Sequence, residues 1–256
     1  MATLKIGLSA TLLILLSFTI VSADHAWGSY HFARTTNPFT LKLGDNLTSN
    51  WDPYLATAAA DWSQSNILDV SVIASGKNAK TCRPTMGRGE VCNAKYGFTG
   101  WVGVAQIWIS GNHITQGIVK MNDTYFNTSF YNKPAWRNLV MCQEVGHLFG
   151  LDHQDEDTKN ANLGTCMDYT SDPSTNQHPN THDYEMLESI YAHFDASTTL
   201  GQTASKGNAV EAEDLRDWAQ EARTRDNRNS VFERDLGNGE KIITHVFWAE
   251  GNERIR

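Results

Sequence analysis

The alternation of hydrophobic and polar residues predicts a β-sheet in the first half of the chain. Residues 39–43 show it most clearly, because Phe39, Leu41 and Leu43 are apolar and the two residues between them are polar. Four further runs rich in apolar and aromatic residues, bounded by turn-forming residues, predict strands. They cover residues 68–73, 91–96, 101–110 and 114–121.

Apolar residues recur at helical spacing in three other segments, 51–65, 138–150 and 181–193. In the first of them, Asp52 and Pro53 are typical of a helix start. The stripe behind them would pack on a sheet; it consists of Tyr54, Leu55, Ala58, Ala59 and Trp62. Strands followed by helices, with no internal repeat, predict an α+β domain whose sheet is backed by helices.

The last quarter of the chain has a different composition. Residues 195–208 are mostly small and polar and predict a linker. An amphipathic helix is predicted over 210–222, and a hairpin over 231–248 with its turn at Gly237, Asn238 and Gly239. We expect this extension, 195–256, to dock on the main domain.

Residues 1–23 predict a secretory signal peptide. Lys5 is the only charge, an apolar run follows it, and small residues stand before a plausible cleavage site after Ala23. The alternative is an uncleaved membrane anchor, but several serines and threonines dilute the apolar run. The sequence therefore predicts an extracellular protein that has no membrane contact after cleavage.

The charge balance is acidic. The formal net charge is -8, and cleavage of the signal peptide leaves 20 basic and 29 acidic residues. Such a balance argues against nucleic acid and anionic membrane surfaces as partners. A chain of 256 residues has room for one ordinary domain and an appendage, and we expect a monomer.

The segment 137–155 carries the candidate chemistry. Gln143 and His147, four residues apart, lie on one face of the predicted helix, and Glu144 points toward the same cleft. Gly150 can end the helix in a left-handed conformation, so that His153 approaches from another direction. Three ligands of this kind leave the fourth position of a zinc ion to water, and a neighbouring carboxylate can accept its proton.

This segment, QEVGHLFGLDH, resembles the metzincin signature HExxHxxGxxH, with Gln143 in place of the first histidine. The sequence GTCMDY at 164–169 resembles the metzincin Met-turn. The resemblance covers roughly residues 30–194. It implies a catalytic domain over 24–194. The upper part, 24–150, would contain a mixed, mostly parallel, twisted sheet with backing and active-site helices. The lower part, 151–194, would contain the Met-turn and a closing helix.

The resemblance also implies a function, a secreted endopeptidase that hydrolyses internal bonds of extended peptide or protein substrates. Zinc would lie on Gln143, His147 and His153, and Glu144 would be the general base. Met167 would form the floor under the metal. In the metzincin family the strand corresponding to 101–109 pairs with the substrate backbone.

Two residues leave alternatives open. The amide oxygen of Gln143 is a poorer zinc ligand than imidazole, so the site could bind zinc weakly or be empty. Tyr169 could bind the metal, steady the oxyanion or only line the pocket. The alternative function is therefore a catalytically weak or inactive protein that binds peptides on a metzincin scaffold, and a weaker one is an interaction module centred on the extension.

The four cysteines allow three pairings. We expect Cys82 to pair with Cys92, and Cys142 with Cys166, which would tie the metal-binding helix to the Met-turn. A structural zinc site made of the four cysteines is the alternative, although the chain has no CxxC spacing.

Weaker signals concern the surface. Asn46, Asn122 and Asn127 stand in acceptor sequences for N-glycosylation, which would place them near the surface. The acidic run 155–157 could bind calcium or simply be solvated. The other histidines show no helical metal spacing and are interpreted as surface or structural groups; they are His25, His31, His113, His178, His182, His193 and His245.

Overall fold

The structure of the protein, a computed structural model, describes residues 25–202 and 231–250. The signal peptide predicted over 1–23 and the helix predicted over 210–222 lie outside these residues. Within them, no helix is long and apolar enough to cross a membrane.

Eight strands of the described residues form one mixed sheet in the order β3-β2-β4-β6-β5-β8-β7, with β1 also paired to β6. The pairs among β1, β2, β3, β4 and β6 are parallel, and those involving β5, β7 and β8 are antiparallel. The predicted mixed α+β fold is confirmed. The strands are β1 (His31–Phe32), β2 (Phe39–Asn46), β3 (Leu68–Ala74), β4 (Gly89–Ala94), β5 (Trp101–Ser110), β6 (His113–Asn122), β7 (Val231–Gly237) and β8 (Glu240–Trp248).

The helices are α1 (Asp52–Trp62), α2 (Asp123–Phe126), α3 (Pro134–His147) and α4 (Thr181–Ile190). In α1 the predicted stripe is buried at Leu55, Ala58, Ala59 and Trp62. Helix α3, which carries the predicted metal ligands, starts four residues earlier than predicted, because Pro134 occupies its first turn, and it ends at His147 rather than at Gly150.

Helix α3 is fixed from several sides. Eleven of its fourteen residues are buried. The indole of Trp62 on α1 donates a hydrogen bond to the carbonyl of Cys142 at 3.1 Å. The expected disulfide Cys142–Cys166 joins α3 to the following loop, and the other expected disulfide, Cys82–Cys92, is also present. No described cysteine is free, so a four-cysteine zinc site does not form.

The C-terminal hairpin belongs to the main sheet. Strand β8 pairs antiparallel with β5 along its whole length, from Trp101 opposite Trp248 to Ser110 opposite Glu240. Apolar side chains of β8 drive this docking, since Ile242, Ile243, Val246 and Phe247 are all buried. Strand β5 therefore has no free edge, and the expectation that it pairs with substrate does not fit this structure.

Candidate metal centre

Three buried histidines converge at one end of α3. His147 is the last residue of the helix, His153 lies in the loop that follows, and His245 lies on β8. One ring nitrogen from each lies within 4.8 Å of the other two. None of the three is more than 7% exposed. The chain thus assembles a three-nitrogen group from a helix, a loop and a strand.

Gly150 makes the approach of His153 possible. Its φ of +93° lies in the left-handed region, and a Cβ at this position would lie 2.2 Å from the carbonyl oxygen of Tyr30. Only glycine fits this turn. The chain reverses there, so that the rings of His147 and His153 meet edge to face, with centroids 4.6 Å apart.

His245 is the site residue that the sequence did not reveal. Its ring stacks between those of His147 and Trp27, at centroid distances of 3.4 and 3.3 Å. The interpretation as a surface or structural group missed its place in the cluster, because the residue lies 92 positions after His153 and outside any motif. The available signal was a polar residue, His245, in the middle of an apolar strand. In the structure His245 is only 1% exposed.

The protonation of this cluster suits metal binding. Nδ1 of His147 donates a hydrogen bond to the carbonyl of Leu151 at 2.9 Å, which leaves the lone pair of Nε2 available. Burial lowers the pKa of His147 and of His245 well below the usual range, and the neighbouring imidazoles lower both further. Neutral imidazole is the form that coordinates metals.

Glu144 carries a buried carboxyl group about one helical turn before His147. Neither of its side-chain oxygens has a hydrogen-bond partner within residues 25–202 and 231–250. Burial raises the pKa of Glu144 well above the ordinary range. The carboxyl group packs against β5 at Gly103, where a Cβ would lie 2.6 Å from Oε1. Glycine at this position therefore provides the space that Glu144 occupies.

Gln143 is oriented by the loop that follows the cluster. Its side-chain nitrogen donates a hydrogen bond to the carbonyl of Cys166 at 2.8 Å. Its side-chain oxygen is buried and has no hydrogen-bond partner in the described part of the chain. The disulfide between Cys142 and Cys166 holds the donor and the acceptor of this bond together.

The predicted Met-turn residues lie around the same centre. Met167 packs beneath α3, and its sulfur lies 2.7 Å from the position of a Cβ built on Gly146. The ring of Tyr169 lies 4.3 Å from that of His153. The Tyr169 hydroxyl lies 3.5 Å from the carbonyl oxygen of Val246 on β8.

Several polar atoms of these residues are buried without a partner among the described residues. Buried polar atoms normally have hydrogen-bond partners. Within the described residues, both oxygens of Glu144, both ring nitrogens of His153 and His245, and the amide oxygen of Gln143 have none. Three converging imidazoles are a donor set that suits zinc.

A pocket of about 300 Å³ opens beside this centre. Five of its eleven lining residues are aromatic, and Glu156, Lys159 and Glu250 supply charges at its wall. Tyr169 belongs both to this wall and to the surroundings of His153. The aromatic lining residues are Tyr131, Trp136, Tyr169, Phe247 and Trp248.

The predicted surface sites have different outcomes. Asn122 is fully buried, and its amide donates hydrogen bonds to the carbonyls of Gly97 and Trp101, so its predicted surface position is wrong and a glycan does not fit there. Asn46 is half-buried and Asn127 is exposed.

In the acidic loop, Asp155 accepts hydrogen bonds from the Asp157 backbone and the Asn160 side chain. These bonds close the loop on itself and give calcium no support.

Comparisons with known proteins give structural neighbours only. No family model and no curated protein matches the chain. The similar solved structures include myroilysin, with 12% identity, a TM-score of 0.36, and coverage of 63% of this chain and 86% of that one. They also include high choriolytic enzyme 1, a hatching enzyme zinc-protease from Oryzias latipes (medaka fish), with 8% identity, a TM-score of 0.34, and coverage of 64% and 95%. Similarity at this level does not establish a family.

Proposed function

We propose that this protein is a secreted, zinc-dependent endopeptidase that hydrolyses internal bonds of extended peptide or protein substrates. The observation that carries the proposal is the group of three buried histidine nitrogens within 4.8 Å of one another, together with the buried carboxyl group of Glu144 about one helical turn before His147. A metal site with three protein nitrogens and an adjacent acid is typical of zinc hydrolases.

The metal ligands proposed are His147, His153 and His245. The sequence suggested Gln143 as the third ligand, but two features favour His245. Imidazole binds zinc better than a neutral amide does, and the amide nitrogen of Gln143 is engaged by Cys166. When bound, zinc would acidify a water molecule and polarise the substrate carbonyl.

Glu144 is proposed as the general base. A carboxylate buried as completely as this one has a raised pKa, which brings its proton affinity closer to that needed near neutral pH. One carboxylate oxygen accepts the proton of the attacking water and then delivers it to the amine that leaves when the C–N bond breaks. Val140 and Gly103 pack against the same space and hold the carboxyl group in place.

Tyr169 and Met167 are proposed to support this chemistry. The Tyr169 ring is close enough to His153 for its hydroxyl to steady the charge that develops on the substrate oxygen. Met167 fixes the underside of α3. The aromatic pocket beside Tyr169 would receive an apolar substrate side chain.

The catalytic unit proposed comprises residues 24–194 together with the hairpin of the extension 195–256, since β8 supplies His245. Two disulfides fit an oxidising compartment, and the proposed signal peptide accounts for export. We propose that the mature protein is a monomer.

A second candidate is a catalytically weak or inactive protein on the same scaffold. The closure of the centre favours it, because β8 covers the edge of β5 and Trp27 covers the ring of His245. A peptide reaches the metal only if part of this cover moves.

Zinc content and casein hydrolysis of the purified mature protein separate the two candidates. We expect Glu144→Gln, which preserves the size of the side chain, to keep the zinc of the wild type and to lose about 100-fold or more of its activity. We expect His245→Ala to contain one zinc equivalent less than the wild type. A wild type that binds zinc here without cleaving casein supports the second candidate, and loss of neither zinc nor activity in the variants rejects the endopeptidase.

A further inference from the structure

A second cluster of metal-ligating side chains lies away from the centre described above. His31 lies on β1, His113 opens β6, and His193 and Asp195 follow α4. Strands β1 and β6 pair in a register that places His31 beside His113. His193 and Asp195, which follow helix α4, lie beside this pair. Three distant segments thus bring three imidazoles to one carboxylate.

The distances in this cluster are those of atoms that share a metal ion. Nε2 of His31 lies 3.1 Å from Nε2 of His193. Oδ1 of Asp195 lies 3.4 Å from His31 Nε2 and 3.7 Å from His193 Nε2. Ligands of a tetrahedral zinc with bonds of about 2.0–2.1 Å are separated by roughly 3.3 Å. The three atoms therefore surround a point that a zinc ion fits.

Hydrogen bonding alone leaves part of this arrangement unexplained. His113 Nε2 can donate to Asp195 Oδ1 at 3.1 Å, and one of the other two imidazoles can donate to its neighbour. The separations of 3.4 and 3.7 Å between Asp195 and these two imidazoles exceed good hydrogen-bond lengths. They are ordinary distances between two ligands of one metal.

The surrounding groups orient the ligand atoms. Nδ1 of His31 donates a hydrogen bond to the carbonyl of Ser29 at 2.6 Å, which leaves the lone pair of Nε2 available to a metal ion. The other oxygen of Asp195, Oδ2, accepts hydrogen bonds from the backbone and the guanidinium of Arg34. Arg34 is buried and also donates to the carbonyl of His193. Such outer partners are typical of metal sites.

The exposure of the cluster also suits a cation. The inner ligands His31 and Asp195 are 4% and 10% exposed, whereas His113 and His193 are 38% and 54% exposed. An ion can enter from the open side and reach the carboxylate of Asp195.

We propose that His31, His193 and Asp195, with His113 beside them, form a second zinc site, which ties β1 to the segment after α4. This site is independent of the endopeptidase proposed above. Its role is structural, because it joins distant parts of the chain outside the aromatic pocket.

The test is the zinc content of the full-length mature protein after equilibrium dialysis. We expect two equivalents in the wild type and one in His193→Ala, whose zinc affinity at this site falls by about 100-fold or more. The matched control is His178→Ala. His178 is equally exposed and bonded to a carboxylate, Asp61, at 2.6 Å, but it stands apart from the cluster. We expect it to keep both equivalents.

The double variant His147→Ala/His153→Ala separates this inference from the proposed function. We expect it to retain one equivalent, and we expect zinc to raise its melting temperature, an effect that the further change His193→Ala abolishes. If His193→Ala binds as much zinc as the wild type, the second site is rejected and the catalytic proposal stands. If only the double variant binds as much as the wild type, the catalytic proposal fails and the second site stands.

Discussion

Gln143 and His245 are the two residues that could complete the proposed metal centre of His147 and His153. Gln143 belongs to the recognisable motif, and His245 lies on a strand outside the motif. The side-chain oxygen of Gln143 is buried and has no hydrogen-bond partner among the described residues. Substitutions can therefore test which of the two residues is the third ligand.

We predict that the loss of His245 can be compensated at position 143. His245→Ala should lower zinc content and casein hydrolysis, because it removes one of three nitrogens. The double variant Gln143→His/His245→Ala restores three histidines in the arrangement HExxHxxGxxH and should regain zinc. Gln143→His alone should not raise activity, because it adds a further ligand where water is needed. Higher activity in that single variant would instead identify Gln143 as the original third ligand.

Gly103 offers a test of how Glu144 is positioned. In Gly103→Ala, the added Cβ would lie 2.6 Å from Oε1 of Glu144 and 2.5 Å from a methyl carbon of Val140. We expect the carboxyl group to be displaced, with a drop of about 100-fold in casein hydrolysis. Zinc content should be unchanged, because the three atoms nearest to the added Cβ belong to Val140 and Glu144 and not to the three histidines of the cluster. Unchanged hydrolysis would show that Glu144 does not need this space.

Local spacing predicted part of the site and could not predict the rest. Glu144, His147, Gly150 and His153 lie within eleven residues of one another, so helix geometry and one glycine turn suffice to place them. The position of His245 depends on the pairing of β8 with β5. Pairing between strands far apart in the chain leaves no periodic signal in the sequence.

At the level of elements, the docking of β8 determines what β5 can do. A strand at an edge exposes a row of backbone N–H and C=O groups that can bind an extended peptide. In this protein β8 occupies those groups along the whole of β5. Among the described residues, β7 is the last strand of the sheet on this side.

Amide hydrogen exchange can test this arrangement. We expect the amides of β5 to exchange as slowly as those of β6, because both strands are paired on two sides. Rapid exchange at every second residue of β5 would show that the hairpin leaves the sheet and exposes the expected substrate edge.

Periodicity predicted most elements of the fold, including both arms of the hairpin. It did not predict the order of the strands, because β8 could have paired with any exposed edge. The strand with the longest apolar run, β5, provided the partner that buries the apolar residues of β8, and hydrophobic burial explains this choice.

At the scale of the whole molecule, a buried ionised group links stability to pH. Glu90 on β4 is completely buried. Burial raises its pKa, but hydrogen bonds outweigh this effect and keep the pKa below its ordinary value of 4.5. The donors are Thr85, Ser75, Asn46 and Arg88.

We predict that Glu90→Gln lowers the free energy of unfolding by about 3 kcal/mol at neutral pH, because Arg88 loses its charged partner. A carboxyl group with a lowered folded-state pKa contributes fully above its unfolded pKa and loses this contribution as pH falls through the folded value. The difference from the wild type should therefore shrink below about pH 4.5. Urea unfolding across this range measures it. Glu188→Gln, at an exposed position on α4, is the control and should show no such trend.

The position of His245 has a consequence for the order of events during folding. His147, the glycine turn and His153 lie close together in the sequence. His245, which supplies the third nitrogen, lies 92 residues after His153, so a long loop must close before it joins them. Contacts that close long loops form late, because the chain loses entropy before it gains the contact. We therefore expect the chain to bind zinc with high affinity only after the hairpin has docked on β5. Metal uptake during refolding would then report the last step of assembly.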